Sequence, residues 1–154
     1  MRHSVLVLAI VLQSACAVAA EVVVGVPATT LVPTARHLRD RCVIEGSYDA
    51  CTRFVEYRLE ASCALDAEGW RVHASAMFTP AIFLYDMHQL AHEHDHIRDV
   101  ETSLQQYFVA IEALRFASEA DCVQRTVMER HAFEKVLRAA AKKSNAMRHP
   151  LIYP

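Results

Sequence analysis

The sequence predicts an α+β domain: a β-hairpin or small antiparallel sheet packed on one long helix and a second, antiparallel helix. Three observations predict it. From Val55, the apolar or small residues Val55, Tyr57, Leu59, Ala61, Cys63 and Leu65 alternate with Glu56, Arg58, Glu60 and Ser62, the period of a half-buried strand. After the turn sequence Asp66-Ala67-Glu68-Gly69 the alternation resumes through Trp70, Val72, Ala74, Ala76 and Phe78, which makes the two runs a hairpin. Beyond Pro80 no glycine or proline occurs until His149 has passed, and the pattern turns helical.

In chain order, the first element is a leader. Arg2 precedes an unbroken apolar run from Val5 to Leu12, and small residues follow at Ala15, Ala17, Ala19 and Ala20. This is the order of a secretory signal peptide over residues 1–19, with cleavage after Ala19, and the run is too short to span a bilayer. Cys16 after Ser14-Ala15 raises a lipoprotein reading, but Gln13 stands where a lipobox wants leucine, so no stable membrane anchor is expected. Residues 20–154 then form a single domain of about 135 residues, enough to bury its own core.

Glu21 to Pro33 reads as a short strand and a loop. Thr34 to Ala50 reads as mostly irregular, with a helical turn near Arg36 to Arg41. After the hairpin, Phe83, Leu90, Ile97, Leu104 and Ile111 recur at heptad spacing with Val100, Tyr107 and Leu114 beside them, predicting one helix from about Leu84 to Phe116. Ser118, with Asp121 three residues on, is an N-cap for a second helix whose apolar residues are Val123, Val127, Phe133, Val136, Leu137 and Ala140.

Formal net charge is −2, and the only basic cluster, Arg138 to Lys143, lies near the end of that helix, where it complements the helix dipole. Nothing points to nucleic acid. Without Cys16, four cysteines remain, an even number that favours two disulfides in an exported chain. Cys63 faces the core on the first hairpin strand and Cys122 begins the second helix, so the expected pairs are Cys63–Cys122 and, by elimination, Cys42–Cys51.

The densest chemistry is HQLAHEHDHIRD, from His88 to Asp99, which contains His92-Glu93-His94-Asp95-His96, an H-E-x-x-H motif. Residues four apart on a helix share a face, so His92 and His96 can offer imidazole nitrogens to one ion. Glu93 is rotated about 100° from His92, placed to take a proton from an attacking water rather than to bind the metal. Two ligands plus a neighbouring base is what metal-assisted peptide hydrolysis requires. Non-catalytic metal binding and a metal-free polar helix face are the competing readings.

The motif and its surroundings resemble zincin metallopeptidases. More narrowly, they are similar to a bacterial family of small exported proteins of unknown function that are predicted to be zinc-dependent proteases. The resemblance runs from about Phe54 to Cys122: a hairpin carrying a cysteine, Pro80 after the second strand, then the H-E-x-x-H helix. It implies one Zn2+ held by His92 and His96, Glu93 as general base, and a peptide or protein substrate. The carboxy-terminal NAMRHPLIYP carries no matching motif.

The third ligand is open. Asp99 lies within about 60° of both histidines on the helical wheel and could bind the ion or orient His96. His149 is next, because an antiparallel helix pair brings the end of the second helix back near the motif. Glu112 is third, since on a continuous helix it stands about 24 Å beyond His96. His88 is one turn before His92, His94 points to the far side, and His73 and His131 carry no expected role. Tyr85, Tyr107 and Tyr153 are candidates to stabilise an oxyanion.

Together these readings describe an exported zinc-dependent peptidase, periplasmic or secreted, with His92, His96 and Asp99 at the metal and Glu93 as base. The rival is a periplasmic metal-binding protein that stores, delivers or senses Zn, Cu or Ni through the same histidines. A catalytically dead zincin fold that keeps its zinc is a third reading.

Overall fold

A computed structural model describes residues 21–42 and 50–149. The expected signal peptide, Cys16 and Tyr153 lie outside them. Four strands, β1 (Glu21–Val24), β2 (Ala28–Leu31), β3 (Ala50–Asp66) and β4 (Gly69–Leu84), and three helices, α1 (Ala35–Cys42), α2 (Leu90–Glu112) and α3 (Glu119–Arg148), make an α+β fold. A 3-10 turn, Met87–Gln89, leads into α2, and the Asp86 carboxylate accepts the His88 N–H in front of it.

The hairpin forms where the alternation puts it. β3 and β4 pair antiparallel from Asp66↔Gly69 outward. The turn is held by Asp66 Oδ1, which accepts the Glu68 N–H at 2.8 Å, and by Gly69, whose φ of 122° suits glycine. Ala61, Val72, Ala74, Ala76 and Phe78 are buried on the inner face. The sheet is not the purely antiparallel one expected, however. β1 and β2 both run parallel to β4, along the edge opposite β3.

The expected helix is shorter at both ends. It ends at Glu112 instead of Phe116, which instead bridges to Trp70 by two backbone hydrogen bonds. It begins at Leu90 instead of Leu84 because β4 runs through Pro80 to Leu84. Proline is excluded from a central strand because it has no N–H for the ladder. Here β1 stops opposite Phe78 and β2 starts opposite Ala81, while on the other edge the β3 register shifts between Phe54 and Glu56. Pro80 is in register with neither β1 nor β2, and on the other side it pairs with Phe54 right beside the β3 bulge. Gly25 crosses this gap, donating its N–H to the Phe78 carbonyl at 2.8 Å; a Cβ there would stand 2.7 Å from Thr79 Oγ1.

The bulge also changes which β3 residues face inward. Val55, expected on the apolar face, is 52 % exposed, and N-terminal to it the inward positions become Ala50, Thr52 and Phe54.

Ile97, Val100, Leu104, Phe108 and Ile111 of α2 pack on the inner face of the sheet with Phe133, Leu137 and Ala140 of α3. The alanines at 61, 74 and 76 let the helices sit close to the strands. The Ser118 hydroxyl caps α3 by accepting the Asp121 N–H. The buried face of α3 runs Cys122, Thr126, Glu129, Phe133, Leu137, Ala140 and Ser144, whereas Val123 and Val127 of the expected stripe are exposed. Three polar residues on the buried face hid it from a hydrophobicity reading. Glu129 is satisfied there by the Tyr107 hydroxyl at 2.6 Å and by Arg125 at 2.6 Å.

Cys42–Cys51 and Cys63–Cys122 stand at disulfide distance, with Cα separations of 6.1 and 6.0 Å, in the expected pairing. Among the described residues no helix is long and apolar enough to cross a membrane.

Candidate metal centre

The first turns of α2 carry the H-E-x-x-H residues, and α3 returns antiparallel to place its C-cap, His149, beside them. The Nε2 atoms of His92, His96 and His149 form a nearly equilateral triangle, with edges of 3.1 Å (His92–His96), 3.1 Å (His92–His149) and 3.2 Å (His96–His149). A neutral ring nitrogen is either a donor or an acceptor. Three of them can satisfy at most two edges of a triangle, whereas a cation satisfies all three lone pairs at once. Their spacing would let all three nitrogens reach one ion at about 2.0–2.1 Å. The donor set therefore fits zinc and equally other imidazole-binding metals. Among the described residues these three histidines are the group of ligating side chains that could hold an ion.

The protonation states agree. Burial and the facing rings of His92 and His149 hold His96 down to about 4, against the adjacent Asp99. Burial and His92 likewise lower His149, opposed by Glu93. Both rings are neutral at pH 7 with lone pairs available, which is what metal binding needs.

Behind the triangle lies a chain of polar groups. His96 Nδ1 and Ser144 Oγ are 2.9 Å apart, and the buried Ser144 donates to Asp99 Oδ2 at 2.9 Å. Arg148 holds Asp99 with two prongs, at 2.5 and 2.9 Å, and reaches Asp95 at 2.9 Å. This guanidinium keeps the Asp99 carboxyl below the usual carboxylate range. Asp99, first in the expected order of third ligands, thus stands behind His96, and His149 takes the third corner. Glu112 is at the other end of α2, accepting the Ala74 N–H at 3.3 Å and lying 3.8 Å from His73 Nδ1.

Glu93 is buried, and its Oε2 accepts the Thr52 hydroxyl at 2.7 Å. Burial raises its pKa; the Thr52 hydrogen bond and His149 pull the other way. Glu93, His96 and His149 open on a cavity of about 380 Å³. Its remaining wall includes Phe54, Val100, Ala141 and the Cys42–Cys51 pair, with Lys142 and Asn145 beside them. The bulge in β3 is what turns Thr52 toward Glu93.

The other candidates fall outside. His88 is exposed and bonded to Asp86 at 2.7 Å, and His94 and His131 are exposed. Tyr85 is exposed, and Tyr107 is committed to Glu129; burial of the phenol, then the Glu129 carboxylate, push it up to about 12. Thr52, Ser144 and Arg148 were not singled out in the sequence. Only Arg148 carried a signal, its place next to His149. No family model, curated protein or solved structure matches this chain.

Proposed function

We propose that this chain is an exported zinc-dependent peptidase that hydrolyses peptide bonds with Glu93 as general base. The observation that carries the reading is the convergence of three imidazole nitrogens beside a buried carboxylate, all but His92 lining one cavity. Zinc held by His92, His96 and His149 would supply Lewis acidity, lowering the pKa of water to about 7 and polarising a carbonyl. Glu93 takes the proton of the attacking water and hands it to the leaving amine. Its raised pKa brings it toward the pH at which a base both accepts and releases a proton. Thr52 holds the carboxylate in one orientation.

A peptide substrate is favoured by β3, which among the described residues pairs with β4 on one edge only and whose Ala50, Cys51, Thr52 and Phe54 border the cavity. An extended chain can add to such an edge through backbone hydrogen bonds. The two cysteine pairs support an oxidising, extracytoplasmic setting. The resemblance to zincins rests on the motif and remains part of this proposal. The carrier reading needs only the histidine cluster and tolerates Glu93→Gln; His88 and His94, which could add to it, are exposed and outside the triangle.

The test is zinc content and peptide hydrolysis in wild type and Glu93→Gln. Expected are one zinc in each protein and hydrolysis about 10²–10⁴-fold slower in the variant. Zinc in both with no hydrolysis by wild type would turn the reading to a carrier or an inactive relative. No zinc in either would remove the metal centre.

A further inference from the structure

We propose that Arg148 is the positioning residue of this centre, acting on two of its three ligands at once. The inference rests on the three-histidine metal reading and asks how a third ligand 53 residues from His96 is delivered. Arg148 immediately precedes His149, at the point where α3 ends and the backbone leaves helical geometry, with His149 at φ −122° and ψ 64°. A helix end frays unless something holds it. Arg148 holds this one to α2 by its two-pronged pair with Asp99 and its third contact with Asp95. Two parallel N–H···O bonds fix direction as well as distance, so His149 leaves the helix already turned toward His92 and His96.

The same pair sets the tautomer of His96. Asp99 receives both prongs of Arg148, and a carboxylate paired with a guanidinium only accepts. The Ser144 hydroxyl must therefore give its hydrogen to Asp99 Oδ2 and use its lone pair toward the ring. That makes His96 Nδ1 the protonated nitrogen and leaves the Nε2 lone pair facing the triangle. The relay runs Arg148, Asp99, Ser144, His96. Its first member anchors one ligand and its last member is another.

The two effects separate by substitution. Ser144→Ala cuts the relay to His96 but leaves the Arg148–Asp99 pair. Arg148→Ala releases the end of α3. Cobalt titration of the full chain, followed by the visible spectrum, reads both affinity and coordination. Wild type should take one cobalt with the intense absorption of a tetrahedral site. Ser144→Ala should keep that absorption with affinity lowered about tenfold, within the 10–100-fold range for loss of a group that orients a ligand. Arg148→Ala should lose more and shift to the weak spectrum of higher coordination as His149 drops out, with partial recovery in Arg148→Lys. Arg138→Ala, which breaks the exposed pair with Glu134 on the same helix, should behave as wild type. Wild-type affinity and spectrum in both Arg148→Ala and Ser144→Ala would overturn the proposal and leave the metal centre standing. No cobalt bound by wild type would overturn the metal centre itself.

Discussion

The two disulfides are expected to contribute unequally to stability, and in the opposite order to activity. Cys63–Cys122 closes a sequence separation of 59 and ties β3 to the start of α3, whereas Cys42–Cys51 closes only 9. In the chain-entropy model, cross-linking removes loop-closure entropy from the unfolded state as the logarithm of the loop. This gives about 4.2 kcal/mol for the long loop and about 2.6 kcal/mol for the short one at 25 °C, a difference of about 1.6 kcal/mol. Cys122 is fully buried, so its truncation adds packing loss in the same direction. Against a domain stability of about 5–15 kcal/mol, loss of the long bridge removes a large fraction. Cys42 and Cys51 instead form part of the cavity wall that Glu93, His96 and His149 face. The assay is equilibrium urea unfolding of the Cys63→Ala/Cys122→Ala and Cys42→Ala/Cys51→Ala proteins, with peptide hydrolysis measured on each at a temperature where both are folded. The long-bridge variant should show the lower midpoint with near-normal hydrolysis. The short-bridge variant should be the more stable of the two and the more impaired. Equal stability losses, or the larger loss from the short bridge, would refute the loop argument.

The metal-free protein should lose stability in acid through His96. Its pKa falls from about 6.5 unfolded to about 4 folded, so the unfolded chain takes the proton first. The contribution is present above pH 6.5 and is lost as pH falls toward 4. Two and a half units correspond to about 3.4 kcal/mol at 1.36 kcal/mol per unit, and partial solvent exposure cuts this to about 1.5 kcal/mol. Urea unfolding of wild type and His96→Gln between pH 4 and 7.5 measures it as the difference in slope, and parallel curves would contradict it. Glu129→Ala should destabilise by about 3 kcal/mol, because it leaves the Tyr107 hydroxyl without its buried acceptor and Arg125 without its ion-pair partner. Glu129→Gln should lose markedly less in the same unfolding measurement, and equal losses would argue that packing, not the polar contact, holds this site.

Interactions of short range were legible in the chain itself. The alternation of Leu59, Ala61, Val72, Ala74 and Phe78, the turn at Gly69, the Ser118 cap and the i, i+4 spacing of His92 and His96 follow from strand and helix periods alone. The cysteine pairs followed because those periods already placed Cys63 and Cys122 on facing elements. What tertiary structure decided begins where periodicity stops. Pro80 reads as the end of a strand until β1 and β2 leave a gap beside it and β3 bulges immediately after its partner Phe54. The polar residues Thr126, Glu129 and Ser144 read as a solvated face until partners satisfy them, Tyr107 and Asp99 on α2 for Glu129 and Ser144 and the Val123 carbonyl of α3 itself for Thr126. Asp99 and His149 were both open as third ligand because a helical wheel fixes angle but not what lies opposite. The return of α3 gave Asp99 an arginine and set a third imidazole, from the far end of the chain, beside His92 and His96.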